Sequence, residues 1–499
     1  MKRQIQFENL RHAAHFDVTI FGGGINGACL YDTLCRQGYR VLLLDKGDFA
    51  CGTSQASGMM IWGGLLYLCN LEFSSVFELS CDRDRIVQAK KAWMTAQFMR
   101  YLPSTTLGRS KTWMHFGLWL YWLLGMGRRQ IPRAEKVFQE LALIKPNFVQ
   151  GSLAYEEVFL NDSDARFVYR WLAPHQQAGQ LAINYCQAQH GVYHQEENRW
   201  QLDLKDQLSG NTYQITSRMV VNCAGVWTDQ VNTAFGISSP VRHVLSKGVY
   251  LGIPRASAHD TSLFFDLGEH DDVITLVPWG PIALWGPTET AVKDITSGMQ
   301  VSQQDIDFLL AHYNRRFSRP ISRNDIISLR CGIRPLVVDS QYQLTSYPLD
   351  LSRQQKIIAD QNRPWISCYG GKMTGCVRLA SQVLALIKKA LPVTATIPLR
   401  DEDWELKIER ALFPGLEQTV PAAAWCAQYE QCCTLEDYLR RRTNIAQWIP
   451  RMGLGKNDCY ASAIKNIALE LAHGDHPLAD QLFSAYREKV MTEFDPLFI

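Results

Sequence analysis

The chain lacks a charge bias: 51 Lys and Arg stand against 49 Asp and Glu in 499 residues, a formal net charge of +2. A nucleic-acid binder normally presents a strongly basic face, so that class is set aside and small molecules are the expected partners. A long apolar run is missing too. The most apolar window, Trp113 to Met126, is bordered by Arg109, Lys111, Arg128 and Arg129. As a helix its roughly 14 residues reach about 21 Å, short of a hydrocarbon core of roughly 30 Å. No membrane-spanning helix is expected there. A buried core helix and a helix lying flat at a membrane surface, tryptophans and basic flanks at headgroup level, both fit. The first residues carry Lys2, Arg3, Glu8 and Arg11 without an apolar segment; neither a signal peptide nor an anchor is read there, and a cytoplasmic protein is expected. Finally, the 14 cysteines form no C-x-x-C pair, and Cys426, Cys432 and Cys433 have no histidine at ligand spacing. Reduced, mostly buried thiols and no metal site are the expectation.

What is present begins at Asp17. Val18 to Phe21 reads as a buried strand, Gly22, Gly24 and Gly27 complete G-x-G-x-x-G, and Ala28 to Gln37 carries apolar residues at helical spacing. A second strand over Arg40 to Leu44 ends on Asp45, about 20 residues past the glycines, where a carboxylate can accept hydrogen bonds from a ribose. Each piece has a physical reason. Gly22 permits the tight turn, Gly24 lets backbone approach a pyrophosphate, and Gly27 lets helix and strand pack closely. The helix N-terminus offers free N–H groups and partial positive charge to phosphates. Strand, turn, helix and terminal acid together predict a dinucleotide-binding α/β unit.

A chain this long exceeds what one core usually serves, so two or three domains are expected. Lys46 to Leu68 is rich in Gly, Ser and Met, and its glycines leave room for a cofactor ring. Phe235 and Gly236 close a helix, and Val241 to Trp285 alternates apolar strands with turns at Pro254, Gly268, Pro278 and Gly280. That pattern suits an antiparallel sheet. Farther on, Val393 to Asp403 reads as a linker. Thr434 with Asp437 forms a capping box, and helical spacing recurs over Asp458–Ala472 and Pro477–Val490. An all-α domain is expected from about residue 400 to 499. Residues 1–395 are expected to hold the dinucleotide-binding and substrate parts interleaved: about 16–75, 155–235 and 330–395 for the first, about 76–154 and 236–329 for the second.

Several motifs occur in one order. Gly52-Thr-Ser54 is followed by Ser57-Gly-Met-Met-Ile-Trp-Gly-Gly-Leu-Leu-Tyr67-Leu, then Asp164-Ala-Arg166, Val220-Val-Asn-Cys-Ala-Gly-Val-Trp-Thr-Asp229 and Val277-Pro-Trp279. Gly332-Ile-Arg-Pro335, Tyr369-Gly-Gly-Lys-Met-Thr374 and Thr434-Leu-Glu-Asp-Tyr-Leu-Arg-Arg-Arg-Thr443 complete the series. Over nearly the whole chain this series resembles the FAD-dependent glycerol-3-phosphate dehydrogenases, within the D-amino acid oxidase-like flavoproteins. The resemblance implies an FAD-binding Rossmann-type domain, an antiparallel-sheet substrate domain and an all-α C-terminal domain. It implies FAD held by Gly22, Gly24, Asn26, Gly27, Asp45, Lys46, Thr53, Ser54, Ala224 and Gly225. Gly370, Gly371, Lys372, Met373 and Thr374 complete that set, opening a helix from near Thr374 to Lys388 whose N-terminus stabilises the reduced ring. Arg334 takes the place of the anion-binding arginine, and Lys372 that of a lysine able to polarise the substrate oxygen. Tyr67 and Tyr250 fall at the same site. Family members commonly deliver electrons to membrane quinone, so a quinone or other acceptor and a peripheral membrane contact are expected.

The departures are as specific. Where the family reads S-S-K-L-I-H-G-G-L-R-Y-L, this chain has Met59, Trp62 and Leu66 in place of lysine, histidine and arginine. Tyr250 replaces the histidine of K-G-x-H, and G-T-T-D becomes Gly286-Pro-Thr-Glu289. A tyrosine with an unperturbed pKa of about 10 is a poor base near neutrality unless a cation such as Lys372 depresses it. Three readings fit: a flavin dehydrogenase acting on an acidic hydroxy or amino compound other than glycerol 3-phosphate; a glycerol-3-phosphate dehydrogenase with a rearranged site; or a catalytically silent FAD-binding partner protein.

Overall fold

A computed structural model describes residues 2–68, 71–104, 110–146, 148–149, 151–177, 179–257, 259–267, 273–342, 354–393 and 403–498. Two sheets organise the chain. In the first, eight-stranded sheet, five strands run parallel in the order Gln180–Ile183, Val41–Leu44, His15–Phe21, Thr212–Asn222 and Trp365–Tyr369. Parallel strands are covered on both faces and so read as continuous apolar runs, and Val41–Leu44 is buried at every position. Helices Ile25–Arg36 and Cys376–Ala390 pack together on one face, joining Val18, Ile20, Leu34, Leu379 and Val383 in one core. On the other face Phe16, Phe21 and Leu42 meet Trp200, Trp365 and two residues of an N-terminal helix, Phe7 and Leu10. That helix, Lys2–His12, was not legible from its sequence, because only Gln6, Phe7 and Leu10 are buried and its apolar content is low.

The second sheet has ten strands, antiparallel except where Ser262–Asp266 runs parallel to Met94–Tyr101. The antiparallel segment read over Val241 to Trp285 is present as strands Val241–Pro254, Ser262–Asp266, Val273–Trp279 and Ile282–Gly286. Its longest pairing joins Val241–Pro254 to Ser328–Asp339, placing Gly248 opposite Gly332 and Ser246 opposite Arg334. The chain crosses between the sheets repeatedly, so residues distant in sequence meet at their junction. The helix closed by Phe235 and Gly236 is Thr228–Ala234, with Gly236 at φ +65°. Gly268 and Arg109 lie outside the described residues, as do 394–402 of the expected linker.

The apolar window forms helix Lys111–Leu124, capped by Ser110, whose hydroxyl accepts from the Trp113 N–H at 3.2 Å. Met114, Leu118 and Tyr121 are buried at three- and four-residue spacing, while Trp113 (62 % exposed), Phe116, Trp119 and Leu123 (64 % exposed) face outward. One face of the helix is thus buried in the core and the other is exposed. Among the described residues no helix is long and apolar enough to cross a membrane.

The regular elements of residues 403–498 are helices and helical turns, apart from a two-residue strand pair, Arg410–Ala411 with Val420–Pro421. Helices Ala461–Leu471 and His476–Lys489 pack around Leu435, Leu439, Ile464, Phe483 and Tyr486. The Thr434–Asp437 box forms: the Asp437 N–H donates to Thr434 Oγ1 at 3.1 Å, and the Thr434 N–H to Asp437 Oδ2 at 2.9 Å. The turn it opens is not an α-helix. Asp437–Arg442 winds as a π turn closed by Thr443 N–H to Tyr438 O at 2.9 Å.

Candidate cofactor cleft and active site

At the carboxyl ends of the parallel strands lies a cleft of about 240 Å³. Gly22 adopts φ +102°, and a Cβ there would stand 2.5 Å from Cys223 O; one on Gly27 would collide with Gly22 O. Only glycine fits at either point. Gly24 precedes helix Ile25–Arg36 with no side-chain cap of its own, and the Ile25 N–H donates to Ser54 Oγ at 3.0 Å. Asp45 accepts from the Gly23 and Gly47 N–H groups at 2.7 and 2.9 Å. Burial nevertheless pushes its carboxyl up to about 6 against those two amides. Lys46 Nζ stands 4.1 Å from the Trp227 ring centre. Of the residues implied as cofactor contacts, Gly22, Gly24, Asp45, Lys46, Thr53, Ser54, Ala224 and Gly225 line this cleft.

Of the remaining implied contacts Gly27 packs against Gly22, while Asn26 meets the turn that begins at Gly370, outside the cleft's own lining. Gly370 and Gly371 sit at φ +64° and +102°, which L side chains rarely adopt. Asn26 Nδ2 donates to Gly370 O at 3.2 Å, and Asn26 Oδ1 is buried without a hydrogen-bond partner among the described residues. His243 Nε2 accepts from the Gly370 N–H at 3.1 Å. Burial lowers this ring to about 4, so it stays neutral and can accept there. A 3₁₀ turn, Met373–Gly375, precedes helix Cys376–Ala390, so the helix opens two residues later than its sequence placed it. Met373 packs on the main core, Thr374 Oγ1 donates to Trp62 O at 3.0 Å, and Thr53 Oγ1 donates to Ile333 O at 2.6 Å. An orphaned buried oxygen on Asn26, Gly22 and Gly27 with no room for a side chain, and the N-terminus of helix Ile25–Arg36 beside the cleft suit a dinucleotide.

Of the four residues expected to act on substrate, Lys372 and Tyr67 meet directly: the ammonium donates to the phenol oxygen and stands 3.8 Å from the ring centre. Trp62 flanks them, its ring 6.0 Å from that of Tyr67. Arg334 lies across the second sheet, where a Cβ on Gly248 would come within 2.5 Å of Nη1. Its guanidinium pairs with Glu289 at 3.1 Å and reaches Thr288 O at 3.4 Å, while Ser246 Oγ also donates to Glu289. Tyr250 lies two residues beyond Gly248 on the same face of the strand, its hydroxyl close against Gly58. Of the other two replaced family positions, Leu66 packs on the main core. Met59 is buried with its sulfur 3.8 Å from Arg330 Nη2.

The sequence matches the family described as FAD dependent oxidoreductase over residues 17–358. The chain belongs to this family. This FAD-dependent oxidoreductase is 28 % identical over 397 residues to an aerobic glycerol-3-phosphate dehydrogenase of Staphylococcus aureus, covering 78 % of this chain and 70 % of that one. In fold it is similar to the glycerol-3-phosphate dehydrogenase of Bacillus halodurans complexed with FAD, at TM-score 0.72 and 19 % identity over 100 % and 99 % of the two chains. It is also similar to a glycine oxidase of Geobacillus kaustophilus, at TM-score 0.51 and 17 % identity over 78 % and 100 %.

The structure of the oxidoreductase also shows residues that the sequence left without a role. Asp164 Oδ2 accepts from the Ser57 N–H at 2.7 Å and pairs with Arg330 at 2.5 Å, both side chains fully buried. Arg330 Nη2 in turn donates to Ser57 O at 3.1 Å. Arg166 pairs with Glu430 in the C-terminal helical region. The Asp164-Ala-Arg166 motif therefore grips the cleft loop with one side chain and the helical region with the other. An acid beside an arginine at the start of a helix was the available signal; their partners, 107 and 264 residues away, were not.

Proposed function

We propose that the protein oxidises an alcohol or amine carbon of a small molecule carrying an acidic group, and that this substrate is not glycerol 3-phosphate. Bound FAD supplies the two-electron acceptor. Arg334 holds the acidic end, Lys372 polarises the reacting oxygen or nitrogen, and Tyr67 and Tyr250 complete the polar wall. One observation carries the reading: Arg334, the retained cation, already faces the carboxylate of Glu289, and the family arginine of the loop is Leu66, which packs into the core. A phosphate dianion there meets one cation and a nearby acid, whereas a singly charged carboxylate needs only one arginine fork. The match to glycerol-3-phosphate dehydrogenases supports the second reading, the same reaction on glycerol 3-phosphate in a rearranged site. Anaerobic mixing of the holoprotein with glycerol 3-phosphate, 2-hydroxy acids, polyol phosphates and amino acids separates the two. Loss of the flavin's visible absorbance with an acid other than glycerol 3-phosphate is expected. Bleaching by glycerol 3-phosphate at low concentration establishes the second reading, and a flavin reduced by none of them leaves a non-catalytic binding protein.

We infer in addition that the outward face of helix Lys111–Leu124 rests in a membrane interface. Its four exposed large side chains lie beside Met126 and Ile131, also exposed, with Arg128 half-exposed at the rim. Aromatic side chains with basic neighbours suit the headgroup boundary. A quinone in that interface fits as the electron acceptor.

A further inference from the structure

We propose that three consecutive arginines of the C-terminal helical region, Arg440, Arg441 and Arg442, act as positioning residues for FAD. They act by holding the loop that lines the nucleotide cleft. The loop runs from Asp45 to Gly58. Lys46, Thr53 and Ser54 face the cleft, while Asp48 turns away from it and is 1 % exposed. Four nitrogens converge on this one carboxylate: Arg441 Nε at 2.7 Å, Arg442 Nη1 and Nη2 at 2.8 Å each, and Asn184 Nδ2 at 2.8 Å. At the loop's other end Arg440 donates to Gln55 O, and Arg441 Nη1 to Gln55 Oε1 at 3.3 Å. Both ends of the cleft-lining run are thus tied to the same turn.

Asp437–Arg442 winds as a π turn whose six residues are all buried, so each of the three arginines meets protein partners rather than solvent. Single π turns recur at functional sites. The charge of the arginines is matched by acids. Asp437 pairs with Arg441 at 2.7 Å and accepts from the Tyr185 hydroxyl at 2.6 Å, Glu436 pairs with Arg441 at 3.1 Å, and Glu430 lies 3.7 Å from Arg442. Burial pushes the Asp48 carboxyl up, but Arg442 and Arg441 outweigh it and hold it at about 2. None of the three guanidiniums lines the cleft. Their effect on the nucleotide passes through the loop backbone: a loop held in place beforehand loses less freedom when the nucleotide binds.

The inference rests on the reading of this cleft as the nucleotide site. Its test is the rate at which full-length holoprotein releases FAD on dilution, followed by the fluorescence of free FAD, together with thermal unfolding. Asp48→Asn keeps the shape and removes the charge; release at least about tenfold faster is expected, roughly 1.4 kcal/mol. Asp305→Asn is the control for simple loss of stability, because it breaks a buried ion pair between helix Gln303–Arg316 and the second sheet, Lys247 to Asp305 at 2.6 Å. It is expected to lower the unfolding temperature while releasing FAD at the wild-type rate. If Asp48→Asn fails to fold, Arg441→Lys and Arg442→Lys keep the charge and lose the fork, and are expected to speed release in the same direction. Release within twofold of wild type in every folded variant of the loop clamp overturns the proposal, leaving the arginines as a staple between regions. Wild-type protein that binds no FAD would instead overturn the cleft reading itself.

Discussion

Replacing Arg334 by methionine separates the part this side chain plays in the fold from the anion binding proposed for it. It pairs with Glu289 at 3.1 Å, and Glu289 is nearly buried, its side chain 6 % exposed against 23 % for Arg334. Breaking a buried pair by deleting one partner destabilises by about 3–5 kcal/mol. Solvent near the guanidinium and the Ser246 hydroxyl on Glu289 reduce that to about 2 kcal/mol, a fall of about 2 °C in Tm for a chain of this size. The proposed role is holding an anion, and losing a charge-assisted fork to substrate weakens binding by about 2–5 kcal/mol, or roughly 30-fold to several-thousand-fold. Arg334→Met is therefore expected to lower Tm and to raise KM for the acidic substrate by at least about 30-fold. Adding Glu289→Gln removes the stranded carboxylate, so the double variant recovers most of the Tm and none of the KM. The assays are thermal unfolding and initial rates of flavin reduction, with inorganic phosphate as a competing anion. A double variant that regains KM along with Tm, or a single variant with unchanged KM, refutes Arg334 as the anion site.

Three further outcomes are expected. Gly27→Ala drives a methyl group into Gly22 O and should yield folded protein without flavin; stoichiometric yellow colour after purification contradicts this. His243 and His259 are both held at about 4 by burial, below the usual 6.5, so the unfolded chain takes up protons first as pH falls. The contribution of the two rings is complete above about pH 6.5 and declines toward pH 4, by about 3 kcal/mol for each, while the Asp45 carboxyl, held at about 6, offsets about one ring's loss over the same range. Denaturant midpoints that do not change between about pH 7 and pH 5 would be inconsistent with both rings being buried and neutral. Trp113→Ser with Phe116→Ser removes two exposed aromatics from helix Lys111–Leu124. At about 1 kcal/mol for each partly inserted ring, binding to vesicles of mixed anionic and neutral lipid should weaken by about 30-fold; wild-type protein that ignores such vesicles removes the membrane reading.

The nucleotide-binding unit was legible because its determinants are local. Gly22, Gly27 and Asp45 lie within one strand–turn–helix–strand, where periodicity and turn chemistry fix the geometry before any distant contact forms. The antiparallel sheet from Val241 and the Thr434–Asp437 box were readable for the same reason. Trp113 to Met126 was readable only in part: its composition marked a helix, but which face was buried depended on Met114, Leu118 and Tyr121 finding partners elsewhere. The pairings at the candidate site were decided by tertiary structure alone. Glu289 reaches Arg334 because two strands carry Gly248 past Gly332, and Lys372 meets Tyr67 across 305 residues. Asp48 and Arg442, 394 residues apart, look in sequence like an ordinary acid and one member of a basic run. Burial at a shared junction, where each charge must find its opposite, turns them into a clamp.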